Sequence, residues 1–437
     1  MDTAPFPENE KLILDLSNSM LTHLTTTPFS CSGRVPIPAS QPVQLRFKGC
    51  GESLLVPLSV ESEEQQRLFE ALLNSMVPAS FGRGTEEVFD EKYRRALKLD
   101  VADFLTSFCP YKAGIVDVVR RMLVPGDGKG EARTIRAGLY KLNVNSGPGG
   151  MFKAHVDTPR SEEQVASLVV CLPVAHEGGQ LAVRHAGREL LYDWSQSHGV
   201  SSKEEDEEMA EQSSTSSPSA IYWAAFYSDC THEVLPVTSG HRVTLTYNLY
   251  ARTRFQPNTT QQPSIQPPPK QPSQLDGTQL LFSRDLASAL ANERFLPKGH
   301  VLAISLTHAY AHTSKHLDLI PARLKGGDLY LYAACAALGL RTFFRPVIEC
   351  DPDDGEGMHR PFKVVGTKFE HMNTPHVLNK RFPEDAVAVA WPGTVLDKCK
   401  VTWLAPVSRG SKWEAAFGYA VVSFTFYAPG VGCLGVC

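Results

Sequence analysis

The chain has 437 residues, of which 42% are hydrophobic, enough for two or three domains with a sizeable core. Its formal net charge of -4 and the lack of a basic arm exclude a general electrostatic attraction to nucleic acid or anionic membranes. The N-terminus lacks the basic start and apolar core of a signal peptide, and no apolar run could span a bilayer. The expectation is a soluble intracellular protein, cytoplasmic or nuclear. Ten cysteines without a Cys-x-x-Cys pair argue against a zinc knuckle and for reduced thiols.

Residues 1–30 mix a short apolar run with Pro and Thr and read as a flexible lead-in. Strand-like pieces follow at Val43–Lys48 and Ser53–Leu58. A helix is predicted over Glu63–Ser75, because Ser62-Glu-Glu-Gln65 has the pattern of a capping box and Leu68, Leu72 and Leu73 keep helical spacing. Glu86–Leu97 and Ala113–Leu123 read as two further helices. From Ile135 to Tyr250 short β-branched and aromatic runs alternate with Gly and Pro, the pattern of an all-β sandwich or barrel. An acidic, Ser-rich insert at 199–219 interrupts them and cannot bury much apolar surface, so a disordered loop is expected there. A Pro- and Gln-rich linker at 253–277 leads to residues 278–437, read as an α+β domain of unassigned role. Its expected elements are helices at Ser283–Asn292 and Gly326–Leu340 and a strand at Val301–Leu306.

Chemistry concentrates at His155-Val156-Asp157, His232 and Arg242. Two imidazoles and a carboxylate can hold one face of a metal ion and leave the other open for reaction, the arrangement non-haem Fe(II) oxygenases use. Alternate side chains of a strand point the same way, so one strand could supply both His155 and Asp157. His232 stands shortly before the strand-like run Arg242-Val-Thr-Leu-Thr-Tyr-Asn-Leu-Tyr250. The Arg242 guanidinium could grip a carboxylate through two parallel hydrogen bonds, which suits a dicarboxylate cosubstrate.

Tyr140-Lys-Leu-Asn143, Phe152-Lys-Ala-His-Val-Asp-Thr-Pro-Arg-Ser161, Gly178-Gly-Gln-Leu-Ala-Val183, Asp193-Trp194 and Trp223-Ala-Ala-Phe-Tyr-Ser-Asp-Cys-Thr-His-Glu-Val234 carry a resemblance. Together they resemble Fe(II)/2-oxoglutarate-dependent dioxygenases, and within them the prolyl-4-hydroxylase-like branch in a form common among fungal proteins. The resemblance implies a mainly β fold with flanking helices: a double-stranded β-helix, or jelly-roll, core over residues 31–252, with the α+β domain after it. It makes His155, Asp157 and His232 the iron ligands and Arg242 the anchor for the distal carboxylate of 2-oxoglutarate, with no catalytic residue beyond the metal centre. Fe(II), 2-oxoglutarate and O2 would be required, and ascorbate would keep the iron reduced. The implied reaction is hydroxylation of an unactivated C–H bond, of a prolyl residue first, with succinate and carbon dioxide as coproducts. One departure is Asn145, which stands where many relatives carry a tyrosine that helps hold the cosubstrate.

Substrate identity stays open, because one fold serves many chemistries. A free amino acid or a fungal secondary metabolite rivals the prolyl residue. Two other classes remain: a barrel that binds without turnover, and a zinc-dependent hydrolase on the same ligands. His241 is expected to face away from Arg242, and Trp194, Trp223, Phe226 and Tyr227 to be core. His176, His185, Glu177 and Glu233 receive no role. His308, His312 and His316 fall four apart and read as a solvated helix face.

Overall fold

The structure is a computed structural model that describes residues 8–38, 40–58, 61–83, 86–125, 133–161, 163–195, 219–253, 280–296, 301–311, 320–350, 362–365, 387–389, 401–404 and 419–427. Apart from Ser219 and Thr253, the acidic insert and the linker lie outside these residues, as do His312 and His316.

Helix α1 spans Glu8–Thr26, α2 Glu63–Ser75 and α3 Ile115–Leu123. The Ser62 hydroxyl caps α2 by accepting from Gln65 N at 3.3 Å, as its sequence predicts. Gln65 does not close the box. Its Oε1 accepts from Leu55 N at 2.7 Å and ties the helix to the strand Leu54–Val56.

The central strands are β1 (Ser30–Pro36), β2 (Arg133–Ser146), β3 (Gly150–His155), β4 (Gln164–Cys171), β5 (Leu181–His185), β6 (Arg188–Tyr192), β7 (Ala220–Tyr227) and β8 (Thr231–Thr253). The main sheet runs β1-β7-β4-β8-β2 and continues through the short strands Leu97–Asp100 and Val77–Pro78. β8 is long enough to serve two sheets. Its first part pairs with β3, β5 and His176–Gly178, and from His241 onward it pairs with β2 and β4. The crossing point is Gly240, at φ +70°, where a Cβ would fall 2.3 Å from Ala175 O. Only glycine fits that turn. Two antiparallel sheets sharing strands in this way form the jelly roll.

Residues 242–250 of β8 alternate strictly. Val243, Leu245, Tyr247 and Leu249 are buried in the core that also holds Leu68 and Leu72 of α2 and Val119 and Leu123 of α3. Each fully buried Leu contributes about 1.5–3 kcal/mol. The opposite alternates, Arg242, Thr244, Thr246 and Asn248, line an interior cavity. The helices therefore cover one face of the sheet, and the polar face becomes the site.

Two segments depart from their sequence expectations. Glu86–Leu97 is not a helix: Glu86–Val88, Arg94–Arg95 and Leu97–Asp100 are short strands, and the last pairs with β2 through Lys98 and Asn143. Backbone pairing with the barrel edge overrides a helix-favouring composition. The lead-in is also structured, since α1 buries Leu16 and Met20 in a second core. That core includes Phe282 and Leu286 of α4 (Leu281–Ala291), Leu329 and Leu331 of α5 (Gly326–Ala337), and Leu302 and Ile304 of β9 (Val301–Ser305). β9 pairs antiparallel with Tyr419–Tyr427 and parallel with Val401–Trp403, so this unit is a mixed α+β layer.

The two cores are joined by buried polar contacts. The Tyr227 hydroxyl donates to Leu123 O at 2.6 Å and accepts from Gly326 N at 2.8 Å. Asp229 accepts from Lys325 Nζ at 2.8 Å, from His308 Nδ1 at 3.0 Å and from Ala309 N at 2.9 Å. His308 is therefore buried rather than solvated, and it lies in a loop, not on a helix. No described helix is long and apolar enough to cross a membrane.

Candidate active site

β3 and β8 place His155 and His232 directly opposite each other in antiparallel register. Their ring centroids lie 4.2 Å apart. Asp157 is in the loop just past the end of β3, so the expectation that one strand carries both ligands holds for His155 only. His232 lies within β8 rather than ahead of it. His232 Nε2 is 3.8 Å from Asp157 Oδ1, and ligand atoms of all three residues fall within 4.8 Å of one another.

The surrounding contacts orient these ligands. Nδ1 of His155 donates to Lys153 O at 2.8 Å and Nδ1 of His232 to Cys230 O at 3.2 Å, which leaves both Nε2 lone pairs available to a cation. Ser167 donates to Asp157 Oδ2 at 2.5 Å and fixes the carboxylate. Phe152 stacks on His155 at 3.5 Å, and Phe226 packs on His232 at 4.6 Å. Burial, helped by the nearby charge of His232, pulls His155 down to about 3, so the imidazole is neutral as a metal ligand must be. Burial pushes the Asp157 carboxyl up. His232, His155, Ser167 and Arg94 outweigh it and hold the group below its ordinary value.

Arg242 lines the same cavity, of about 340 Å³. It is 1% exposed, and its Nε and Nη2 find no hydrogen-bond partner among the described residues. Its guanidinium stands 5.2 Å from the Trp194 ring. Gly179, at φ +72°, makes room for it: a Cβ there would lie 2.9 Å from Arg242 Cδ. An uncompensated buried cation is costly, and a carboxylate gripped through two parallel bonds would remove that cost. Asn145, the register partner of Arg242, also lines the cavity, and its Nδ2 donates to Arg95 O at 3.4 Å.

Sequence reasoning missed Arg94 and Ser167. Arg94 sits over the Phe152 ring at 4.3 Å and donates to Asn143 Oδ1 at 3.1 Å. It fell in the stretch read as a helix, so nothing pointed its side chain inward. Of the aromatics, Trp194, Trp223, Phe226 and Tyr227 are all buried, and Phe226 also lines the cavity. His241 hydrogen-bonds Ser146 at 2.9 Å, while Glu177 accepts from Ser239 and Glu233 from Arg184.

His185, Asp229 and His308 form a second cluster with ligand atoms within 4.8 Å. Lys325 already supplies the cation there, 2.8 Å from Asp229, and His308 and Ala309 occupy the other oxygen. A metal would have to displace the ammonium, so the cluster is an ion pair joining the two cores.

Residues 140–250 match the family model described as the 2OG-Fe(II) oxygenase superfamily, and the triad and Arg242 all fall within that span. These residues are a 2OG-Fe(II) oxygenase domain. A domain of that family implies Fe(II), 2-oxoglutarate and dioxygen as its requirements. No curated protein matches the chain. Solved structures similar to it include a prolyl hydroxylase from Trichoplax adhaerens in complex with a hypoxia inducible factor oxygen degradation domain peptide, at 16% identity and TM-score 0.30. That match covers 57% of this chain and 94% of the other. A Pseudomonas putida prolyl-4-hydroxylase is similar at 17% identity and TM-score 0.28, over 54% of this chain and 99% of the other.

Proposed function

We propose that the oxygenase domain hydroxylates an unactivated C–H bond, with His155, Asp157 and His232 holding Fe(II) and Arg242 holding the distal carboxylate of 2-oxoglutarate. The observation that carries this is the buried Arg242 guanidinium in the cavity of the triad, with Nε and Nη2 unpartnered among the described residues. A zinc hydrolase has no use for such a group. A barrel that only binds has no need of two oriented imidazoles and a fixed carboxylate facing one point.

Iron, 2-oxoglutarate and dioxygen would together supply the oxidant when bound, with succinate and carbon dioxide as coproducts. The chain's own residues do the rest. Ser167 and the Lys153 and Cys230 carbonyls orient the ligands. Asn145 stands across from Arg242, where it can donate to the cosubstrate in place of a tyrosine. Phe152, Val169, Leu181 and Phe226 line the cavity and exclude water from it.

A prolyl residue is the first substrate to test, because the motifs around His155 and His232 resemble those of prolyl hydroxylases. Ascorbate is assigned the role of keeping the iron reduced. The test is succinate formation with Fe(II), 2-oxoglutarate and ascorbate, comparing prolyl peptides with free amino acids. Succinate formation stimulated by a prolyl peptide is expected; turnover no greater than that of Asp157→Asn would refute the proposal.

A further inference from the structure

We propose that the mouth of the oxygenase cavity is an anion-binding subsite built on Lys141, with Arg160 and Arg136, and that the substrate presents a carboxylate or phosphate to it. The inference rests on the oxygenase reading of the cavity.

Lys141 is 9% exposed and lines both the cavity and an adjoining groove of about 470 Å³. Its ammonium makes no hydrogen bond among the described residues, and its nearest carboxylate oxygen is Asp100 Oδ1 at 3.9 Å. Lys98, also 9% exposed, takes the other Asp100 oxygen at 3.2 Å. Two nearly buried ammonium groups thus share one carboxylate and leave a surplus positive charge at low dielectric. Arg160 and Arg136 add to it, and neither pairs with a described carboxylate. Arg160 donates to the Tyr140 hydroxyl at 2.6 Å, and Arg136 lies 4.2 Å over the Tyr250 ring. Aromatic contacts hold these cations in place without neutralising them.

Position separates this charge from the cosubstrate. Lys141 and Asn145 lie on one face of β2, and Asn145 pairs with Arg242. Four residues of strand span ~13 Å, against roughly 5 Å for the five-carbon chain of 2-oxoglutarate. A cosubstrate anchored at Arg242 therefore ends well short of Lys141, and the space beyond it belongs to the substrate. Arg160 follows Asp157 in the same loop, so an anion bound there lies beside the loop that carries an iron ligand.

The test measures anaerobic binding to the Fe(II)/2-oxoglutarate-loaded enzyme by calorimetry. The probes are acetyl-Glu-Glu-Pro-Glu-Glu-amide, its Gln counterpart, a phosphoserine counterpart and free N-acetylglutamate. At least one anionic probe should bind tenfold or more tighter than the Gln peptide. The phosphoserine and N-acetylglutamate arms show whether phosphate, and whether a small acid, serves as well as a peptide carboxylate. Lys141→Met should abolish the preference, Lys141→Arg should retain it, and 2-oxoglutarate affinity should change less than twofold in both. Equal binding of anionic and neutral probes, or a preference that survives Lys141→Met, would overturn the proposal. So would a tenfold loss of 2-oxoglutarate affinity in Lys141→Met, which would assign the lysine to the cosubstrate. Failure of the wild type to bind 2-oxoglutarate at all would instead refute the oxygenase reading.

Discussion

Arg242 is a buried cation whose Nε and Nη2 meet no hydrogen-bond partner among the described residues. Replacing it with Met should weaken 2-oxoglutarate binding by about 3 kcal/mol, roughly a hundredfold in Kd by calorimetry. The same change removes an unpaired buried cation, so the ligand-free variant should melt no lower than the wild type. Ser167→Ala frees the Asp157 carboxylate and should weaken Fe(II) binding by roughly 10- to 100-fold in a metal-competition titration. That His155, Asp157, His232 and Arg242 belong to one candidate site was legible from the sequence, because spacing and flanking motifs carry them. Ser167, Arg94 and Lys141 were not. Their roles come from which strands pair across the barrel, and no local pattern encodes that.

β8 is the element on which the site depends. One continuous strand carries His232 in one sheet and Arg242 in the other, with Gly240 making the turn between them. The alternation of residues 242–250 was readable as a strand, and α2 as a helix down to its cap, because both are local patterns. Residues 86–97 misled for the opposite reason: a helix-favouring sequence is recruited as edge strands by β2 and β3. Gly179→Ala puts a side chain at φ +72° and against Arg242, so it should cost about 1–3 kcal/mol in urea unfolding and loosen 2-oxoglutarate binding. Unchanged stability and affinity would show that the Gly178-Gly179 turn does not seat the arginine.

The two cores fold onto each other through Asp229, whose hydrogen-bond partners among the described residues, Lys325, His308 and Ala309, come from beyond the linker. Lys325→Met would leave the buried Asp229 carboxylate without its ammonium partner, with an expected loss of about 3–5 kcal/mol in denaturant unfolding, and adding Asp229→Asn should recover part of it. This dependence was invisible in sequence, where α1 read as a loose lead-in and His308 as a surface residue. Acid should weaken the whole molecule as well. Burial pulls His155 and His185 to about 3 from an ordinary 6.5, so between these values the unfolded chain binds more protons. Thermal stability of the metal-free protein should therefore fall as pH drops below 6.5, measurable by a melting series from pH 7.5 to 5. One cavity would hold iron on His155, Asp157 and His232 and 2-oxoglutarate on Arg242. Anaerobic titration with Fe(II) and 2-oxoglutarate tests it most directly. The expected result is a visible metal-to-ligand charge-transfer band that needs both additions, saturates at one iron per chain and disappears in Asp157→Ala. Absence of the band in the wild type, or its persistence in that variant, would show that the cavity does not hold the two together.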